Sequence, residues 1–454
     1  MSTAAPPRLT SDEVVQSLPF RWPVQGRIFI IGGLGFMFDA WDVALNGALI
    51  PAAVQEWGIS RPEAALLSTA NLLGMALGAI VWGTIADRVG RRRAFSLTLL
   101  IFAFFTAAGA LAPSFAVLAA SRFLAGIGLG GCIPVDYALI GEFTPRRVRG
   151  RVLTAMDGWW PVGAAAAFFV SAGLLAATGT WRLSLAIMIL PALLVFWVRR
   201  DIPESPLFLA RQGREAEARA VVDRLVEATG APRREYVVAA AELDTRRRTG
   251  NPITAAFDQL AALWREAPRI TAVSWGLFGA ILLVYYLALN WMPSILQDAG
   301  LGRIAALVSG AGMALAGLIG VVVAAVLVER VGRRVLLAAS APAAGLLLVL
   351  VAVTLDDPRG AVVWLLVFGV IIQISVPVLY TYVSELYPTH LRASGFGWAS
   401  TMSRVSAGVG PLLFAVAWPV MGLGASFAVA LALVAAAVMA MLLLAPETAG
   451  RDLR

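Results

Sequence analysis

Long apolar segments alternate with short polar turns along most of the chain. About 20 predominantly apolar residues are enough for an α-helix to cross a bilayer. Twelve segments of this kind are present, and we number them as spans 1–12 in chain order: 27–52, 63–86, 95–112, 115–140, 151–176, 182–198, 269–296, 304–328, 335–354, 361–383, 394–418 and 422–444. The pattern therefore predicts an all-α membrane protein with twelve transmembrane helices.

A polar stretch separates spans 6 and 7 and divides the chain into two halves. Apolar residues recur at helical spacing between Ala210 and Ala228 within this stretch, which predicts a short amphipathic helix beneath the bundle. The predicted order of segments is an N-terminal tail (1–26), a six-helix bundle (27–199), a helical linker (200–268), a second six-helix bundle (269–445) and a C-terminal tail (446–454).

Two charged turns repeat nearly the same sequence in the two halves. Residues 83–92 are GTIADRVGRR, and residues 325–334 are AVLVERVGRR. A second pair of motifs, GEFTPRRVR at 141–149 and SELYPTHLR at 384–392, lies at nearly the same offset. Two independent repeats at matching offsets indicate two copies of one six-helix unit, which is an architecture of secondary transporters.

Composition and charge support a membrane location. The chain is 59% hydrophobic and 14% charged, whereas a soluble protein has about 25% charged residues. All 36 basic residues are arginine, and they concentrate in alternate short loops, so the net charge of +8 does not point to a nucleic-acid partner. The positive-inside rule places these loops and both termini in the cytoplasm. We therefore expect a multi-pass protein of the bacterial inner membrane that contacts the lipid bilayer.

The residue types in the chain exclude several classes of chemistry. Cys132 and His390 are the single cysteine and histidine, and lysine is absent from the sequence. A disulfide framework, a thiol metal centre and a Schiff-base lysine are therefore excluded. The sequence shows no nucleophile–base pattern either. We expect a protein that is not an enzyme, has no cofactor or metal, and acts as a monomer on protons and a small-molecule substrate.

Four ionisable residues of the N-terminal spans are candidates for proton coupling, because a charge inside a membrane costs about 2.5–3.5 kcal/mol. Asp39 lies about 18 Å along span 1, and Asp42 follows one turn later on the same face; either acid carries the proton, or both only pair with arginines. Arg122 lies in span 4 at the depth of Asp42. We predict an Asp42–Arg122 pair that breaks on protonation, the alternative being that Arg122 braces span 4. Asp157, a few residues into span 5, fits a gate or a second protonation site.

Arg404 is the clearest indication of a substrate. It lies near the midplane of span 11, and its planar guanidinium suits a carboxylate. It either binds an anionic substrate or pairs with an acid such as Asp157 or Asp39. Aromatic and amide side chains on spans 5, 7 and 10 either line a cavity for a flat ligand or serve only in packing. These candidate substrate contacts are Trp160, Tyr285, Tyr286, Asn290, Tyr380 and Gln373.

A further group of charges is predicted to form a cytoplasmic gate. Its members lie in the repeated arginine-rich turns or at the ends of spans 4 and 10. We expect their ion pairs to break and re-form as the two six-helix units rock against each other. The predicted gate residues are Asp87, Arg88, Arg91, Asp136, Glu142, Glu329, Arg330, Arg333 and Glu385.

These motifs resemble those of the major facilitator superfamily over essentially the whole chain. The turns at 83–92 and 325–334 resemble its signature between helices 2–3 and 8–9, and residues 122–131 resemble its fourth-helix motif. Residues 203–206 and 446–451 resemble sequences that follow helices 6 and 12 in sugar-porter-like members. The resemblance implies two pseudo-symmetric six-helix bundles and alternating access. It also implies a helix-1/helix-4 charge pair like that of proton-linked sugar porters.

A finer resemblance is to metabolite:proton symporters, especially niacin permeases. Residues 35–43 (GFMFDAWDV) carry it, and it extends to Arg404 and to the aromatic residues named above; Val376 stands where that pattern has tryptophan. It implies proton-coupled uptake of a small aromatic acid or vitamin, such as nicotinate or nicotinamide. The alternative is a proton-linked sugar or polyol porter, although spans 5 and 7 lack the glutamines that sugar porters carry there.

Overall fold

The computed structural model describes residues 9–132, 140–238, 252–388 and 391–448. We label the helices that correspond to the twelve spans α1–α12. Their bounds are Arg27–Trp57 (α1), Arg61–Val89 (α2), Arg91–Gly109 (α3), Phe115–Gly130 (α4), Trp159–Thr178 (α5), Arg182–Ala186 with Pro191–Asp201 (α6), Pro268–Asp298 (α7), Arg303–Val331 (α8), Arg333–Val353 (α9), Pro358–Leu386 (α10), Arg392–Met421 (α11) and Leu423–Leu444 (α12).

Shorter elements lie outside or between these spans. They are the helices Ser11–Ser17, Arg146–Met156, Pro206–Arg211, Glu215–Thr229 and Pro252–Glu266, a π-helical turn Trp22–Gly26, a 3-10 turn Ile187–Ile189 and the strands Leu9–Thr10 (β1) and Tyr236–Val237 (β2). Nine of the described helices are long and apolar enough to cross a membrane, and α4 and Arg182–Val198 are shorter apolar helices.

Span 5 begins differently from its prediction. Helix Arg146–Met156 ends before Asp157, and α5 starts at Trp159 after a turn. Pro161 lies in the first turn of α5, where proline is tolerated because an N–H there would have no partner within the helix. Asp157 therefore lies in the turn that precedes α5, and its expected position inside the helix is wrong.

The helices pack in the same pattern in both halves. In the first half α2 packs on α4, α1 on α5 and α3 on α4; in the second, α8 packs on α10, α7 on α11 and α9 on α10. Each contact of the second set is displaced by six helices from the first, as expected for two copies of one unit. Large apolar side chains such as Phe104, Phe196 and Leu443 stay exposed on the outside, where acyl chains would cover them.

Among the described residues, three helix pairs carry the main contacts between the two halves. Helix α1 packs on α7, α2 on α11 and α5 on α8. Helix α1 approaches α7 closely at Gly47, where a Cβ atom would lie 2.2 Å from the Leu289 carbonyl oxygen. A side chain at this position would push the two helices apart, so glycine is what permits the contact.

Polar contacts also join the halves at one end of the bundle. We call this the opposite end, formed by turns 58–60 and 299–302, and we call the end with turns 89–91 and 331–333 the arginine-rich end. Arg61 of α2 pairs with Asp298 of α7 at 2.5 Å, and its guanidinium lies 4.4 Å from the ring centre of Trp418 on α11. Arg303 of α8 donates to Gln55 of α1 at 3.2 Å. The structure is therefore closed at the opposite end.

The N-terminal tail and the linker pack together. Strand β1 pairs in parallel with β2, and helix Ser11–Ser17 packs on helix Glu215–Thr229. The buried residues of the latter include Ala218, Val222, Leu225 and Val226. This i, i+4, i+7, i+8 spacing places them on one face, so the amphipathic helix expected between Ala210 and Ala228 is present.

Candidate substrate and proton site

A charged pair is buried inside the N-terminal half. Arg122 of α4 donates from Nη1 to Oδ1 of Asp42 at 2.5 Å and from Nη2 to Oδ2 at 2.9 Å, and both side chains are fully buried. Nη2 also donates to the backbone carbonyl of Asp42 at 2.8 Å. The predicted Asp42–Arg122 pair is therefore present, while its role in proton coupling stays a prediction.

Neutral side chains complete the hydrogen bonding of this pair. Asn71 of α2 donates to Asp42 Oδ2 at 3.0 Å, and Thr106 of α3 donates to Oδ1 at 3.1 Å. The amide oxygen of Asn46 accepts from Nε and Nη2 of Arg122 at 3.3 and 3.2 Å. A buried ion pair is tolerated when additional hydrogen bonds satisfy its remaining polar atoms, so this network fixes Asp42 among four helices of one half.

Asp39 has the opposite environment. Its side chain is 1% exposed, and neither carboxylate oxygen has a hydrogen-bond partner in the described part of the chain. Arg404 and Asp42 are the charged groups that act on it electrostatically. Positions three residues apart differ by only about 60° around a helix and are neighbours on its surface. The two acids nevertheless have different partners, because Asp42 receives hydrogen bonds inside the N-terminal half, whereas Arg404 of the other half acts on Asp39. That the two acids share one face stays a prediction.

Arg404 is held mainly by its own helix. Its side chain is 7% exposed, and Nη1 donates to the carbonyl and hydroxyl oxygens of Ser400 at 3.2 and 2.8 Å. Among the residues that the structure describes, no carboxylate lies within 4 Å of its guanidinium. The alternative of a permanent ion pair with Asp39 or Asp157 is therefore not seen in this conformation, and Nε and Nη2 have no hydrogen-bond partner among the described residues.

The tyrosine pair of α7 connects three helices beside Arg404. The Tyr285 hydroxyl accepts from Trp160 Nε1 of α5 at 3.1 Å and from Gln373 Nε2 of α10 at 3.3 Å. Tyr286 meets the Trp160 ring edge to face with centres 6.3 Å apart. Arg404 acts electrostatically on both Tyr286 and Tyr380. We call this group the central cluster, and its members are Asp39, Trp160, Tyr285, Tyr286, Gln373, Tyr380 and Arg404.

Asn290, the remaining predicted substrate contact, lies one turn beyond the central cluster. Its amide nitrogen donates to the Tyr286 carbonyl at 2.7 Å. Its amide oxygen is buried and has no partner among the described residues. Asn290 is thus linked to the cluster through the backbone of α7.

Three phenylalanines in contact with the cluster were not predicted as site residues. The Phe36 ring lies 5.3 Å from Trp160, and Phe278 and Phe396 lie 5.2 and 5.7 Å from Tyr380. A phenylalanine in an apolar span carries no feature that separates a ligand contact from core packing. The position of Phe36, one turn before Asp39, is the one signal that could have indicated it.

The predicted gate residues pair within each half at the arginine-rich end. Arg91 contacts Glu142 at 3.3 Å and donates to the carbonyl oxygen of Ala86, five residues earlier, at 3.0 Å. Arg333 is the equivalent residue of the second half. It contacts Glu329 at 2.7 Å and Glu385 at 3.1 Å, and it donates to the Val328 carbonyl, also five residues earlier, at 3.2 Å.

The other predicted gate residues are placed differently. Arg88 and Arg330 are exposed, and no ion pair of either is seen in the described ranges. The whole of Asp136 and the side chain of Asp87 lie outside the described residues. Their gate roles stay predictions.

Two carboxylates that were not predicted as gate residues cap helices at this end. Glu204 accepts from the Arg92 amide of α3 at 3.3 Å, and Glu447 accepts from the Arg333 and Arg334 amides of α9, both at 3.0 Å. A carboxylate at a helix N-terminus satisfies amides that lack a partner within the helix. The two caps therefore tie the linker and the C-terminal tail to equivalent turns.

Charged and aromatic side chains enclosed between two packed halves of a lipid-facing helix bundle define a membrane transporter. Residues 32–411 match the family described as the Major Facilitator Superfamily. The niacin transporter NiaP of Acinetobacter baylyi is 33% identical over 386 residues, which cover 84% of each chain. The 4-hydroxybenzoate transporter PcaK of the same organism is 29% identical over 396 residues, covering 86% of this chain and 84% of PcaK.

The fold has a matching solved structure. The partially occluded inward-open conformation of the xylose transporter XylE from E. coli covers 95% of this chain and 100% of its own, with a TM-score of 0.73 and 18% sequence identity. The chain belongs to the Major Facilitator Superfamily. It is a multi-pass membrane transporter, related to niacin and aromatic-acid transporters, and not an enzyme.

Proposed function

We propose that the protein takes up a small aromatic carboxylate, nicotinate first, together with a proton, by alternating access. The observation that carries this proposal is Arg404, which belongs to the central cluster and whose guanidinium forms hydrogen bonds with Ser400 alone in the described part of the chain. A guanidinium binds a carboxylate through parallel charge-assisted hydrogen bonds. The rings of Trp160, Tyr286 and Tyr380 suit a flat ligand beside it.

The relatives support the same class of substrate. Niacin and 4-hydroxybenzoate, named for the two relatives above, are both flat aromatic rings with one carboxylate. Nicotinamide would keep the ring contacts but lose the charge at Arg404. Val376, half-buried on α10, stands where the niacin-permease pattern has tryptophan, so we expect room for a ring larger than pyridine.

We also propose which side of the membrane each end of the bundle faces and which conformational state the structure represents. The arginine distribution supports cytoplasmic termini in an inner membrane, which would make the arginine-rich end cytoplasmic. The closed opposite end, held by Arg61–Asp298 and Arg303–Gln55, would then make this conformation inward-facing.

Uptake into proteoliposomes tests this function. Purified protein is given labelled nicotinate, benzoate or glucose under an imposed proton gradient, with a protonophore as the control. We expect nicotinate or benzoate to accumulate against its gradient and to leak out when the protonophore is added. Accumulation of glucose alone would contradict the proposal, as would accumulation that ignores the protonophore.

A further inference from the structure

Asp39 and Arg404 come from different halves of the molecule, and no ion pair joins them in this conformation. Asp39 belongs to α1 of the first half and Arg404 to α11 of the second. They act on each other electrostatically, yet no ion pair within 4 Å joins them. Both carboxylate oxygens of Asp39 and two guanidinium nitrogens of Arg404 have no hydrogen-bond partner in the ranges that the structure describes.

A substrate carboxylate bound to Arg404 would come under the influence of the Asp39 charge, since Arg404 and Asp39 act on each other electrostatically. Two like charges at one site disfavour each other's ionised form. The other groups that face Asp39 do not offset this repulsion, since Asp42 is an acid and Tyr286 and Tyr380 are phenols. Among the described residues, Arg404 is thus the cation for which the two carboxylates compete.

We propose that Asp39 and the substrate carboxylate compete for Arg404, so that the anion binds together with a proton on Asp39. This inference rests on the proposed function and extends it to the coupling step. The proton comes from water at the open end and forms an O–H bond with an Asp39 carboxylate oxygen as the substrate anion occupies Arg404. When the anion leaves, the proton returns to water and Asp39 again faces the guanidinium.

The surroundings of Asp42 argue against that acid as the competitor. Arg122, Asn71 and Thr106 all donate to its oxygens. Its charge is therefore balanced inside one half, away from Arg404. In this scheme the Asp42–Arg122 pair stabilises the first half, and Asp39 takes up a proton when the substrate binds.

Counting protons during binding tests the proposal on the unmodified protein. Calorimetric titrations of detergent-purified protein at neutral pH, in buffers with different ionisation enthalpies, give the number of protons bound with each ligand. We expect about one proton with each nicotinate anion, because binding is linked to protonation of a single acid. Nicotinamide is neutral and does not compete with Asp39, so we expect it to bind without proton uptake. Equal proton uptake for acid and amide would overturn the proposal.

The Asp39→Asn variant tests the identity of the acid. Asparagine imitates the protonated carboxyl group, so we expect nicotinate to bind without proton uptake and with an affinity that does not depend on pH. The dissociation constant for nicotinate should fall about tenfold. Gradient-driven accumulation is expected to fail while nicotinate exchange continues. Asp42→Asn is the matched comparison, and the proton count is expected to persist in it; a count that survives in Asp39→Asn but vanishes in Asp42→Asn would overturn the proposal. If the wild-type protein binds neither nicotinate nor benzoate, the proposed function itself is wrong. If it binds nicotinate without proton uptake, only this inference is contradicted.

Discussion

Two aspartates three residues apart on α1 show how their surroundings determine what a buried charge can do. Asp42 receives hydrogen bonds from side chains of α2, α3 and α4. Asp39 receives none from the described residues. A buried polar group that loses a partner carries an uncompensated desolvation cost, whereas a group that never had one loses little on removal. The two kinds of position therefore respond differently to substitution.

Asn71→Ala should lower the stability of the N-terminal half. It removes the donor to Asp42 Oδ2 and the acceptor for the Asn46 amide, and a loss of this kind costs about 1–3 kcal/mol. Ser68→Ala is the matched control, because Ser68 lies on the same helix, is fully buried, and has a hydroxyl without a described partner. Thermal unfolding in one detergent should show a clear loss for Asn71→Ala and none for Ser68→Ala. Equal losses of thermal stability in the two variants would show that the hydrogen bonds of Asn71 do not stabilise this half.

Depth along a helix could be predicted from the sequence, but rotation about its axis could not. Asp42 and Arg122 lie at matching depths in spans 1 and 4, and this was enough to predict their pair. The separation of Asp39 from that pair depends on which helices flank α1, which one sequence does not show. The same holds for Arg404, whose depth was predictable but whose partner, Ser400, lies on its own helix.

At the scale of the element, α1 contacts helices of both halves. It packs on α5 in its own half and on α7 in the other. The α1–α7 contact has no room for a side chain at Gly47, which would meet the Leu289 carbonyl. Opening of the opposite end requires α1 and α7 to separate, so a bulkier residue at this contact should favour the open state.

Gly47→Ala tests this expectation against Gly173→Ala, a control at which an added methyl group meets nothing within 4 Å. Cys132 is the single cysteine, so Cys132→Ser with Ser294→Cys gives one reporter thiol on the closed face of α7. We expect a membrane-impermeant thiol reagent to label this reporter faster in Gly47→Ala than in Gly173→Ala. Identical labelling rates would show that this contact does not control opening.

The interruption before α5 shows why hydropathy alone misplaces an element. Residues 151–176 form one apolar segment, so the pattern predicts one helix. The helix ends at Met156 instead, and Asp157 lies in a turn. Pro161 in the first turn of α5 is compatible with a helix start, but apolar periodicity does not record it.

At the scale of the whole molecule, an ion pair between the two halves is seen at one end of the bundle among the described residues. Arg91–Glu142 and Arg333–Glu385 each join residues of one half. Arg61–Asp298 joins the two halves at the opposite end. Alternating access requires contacts between the halves at one end to break while those at the other end form, so Arg61–Asp298 is expected to favour the present conformation.

Arg61→Glu should therefore shift the protein towards the state that is open at the opposite end. Exposed pairs contribute about 0.2–1 kcal/mol, so we expect a shift of about 1.4- to fivefold in the labelling rate of the Ser294→Cys reporter. The exchanged pair, Arg61→Glu with Asp298→Arg, should restore the original rate. If the double variant opens as far as the single one, the pair does not act as a latch between the halves.

The account depends most on Arg404 as the binding group for a carboxylate. The most direct measurement is binding of nicotinate and nicotinamide to wild type, to Arg404→Gln and to the control Arg359→Gln, which changes an exposed arginine at the start of α10. We predict that Arg404→Gln weakens nicotinate binding about 10- to 100-fold, as expected for the loss of a charge-assisted hydrogen bond, and leaves nicotinamide binding nearly unchanged. Equal weakening of acid and amide, or no weakening of either, would contradict the account.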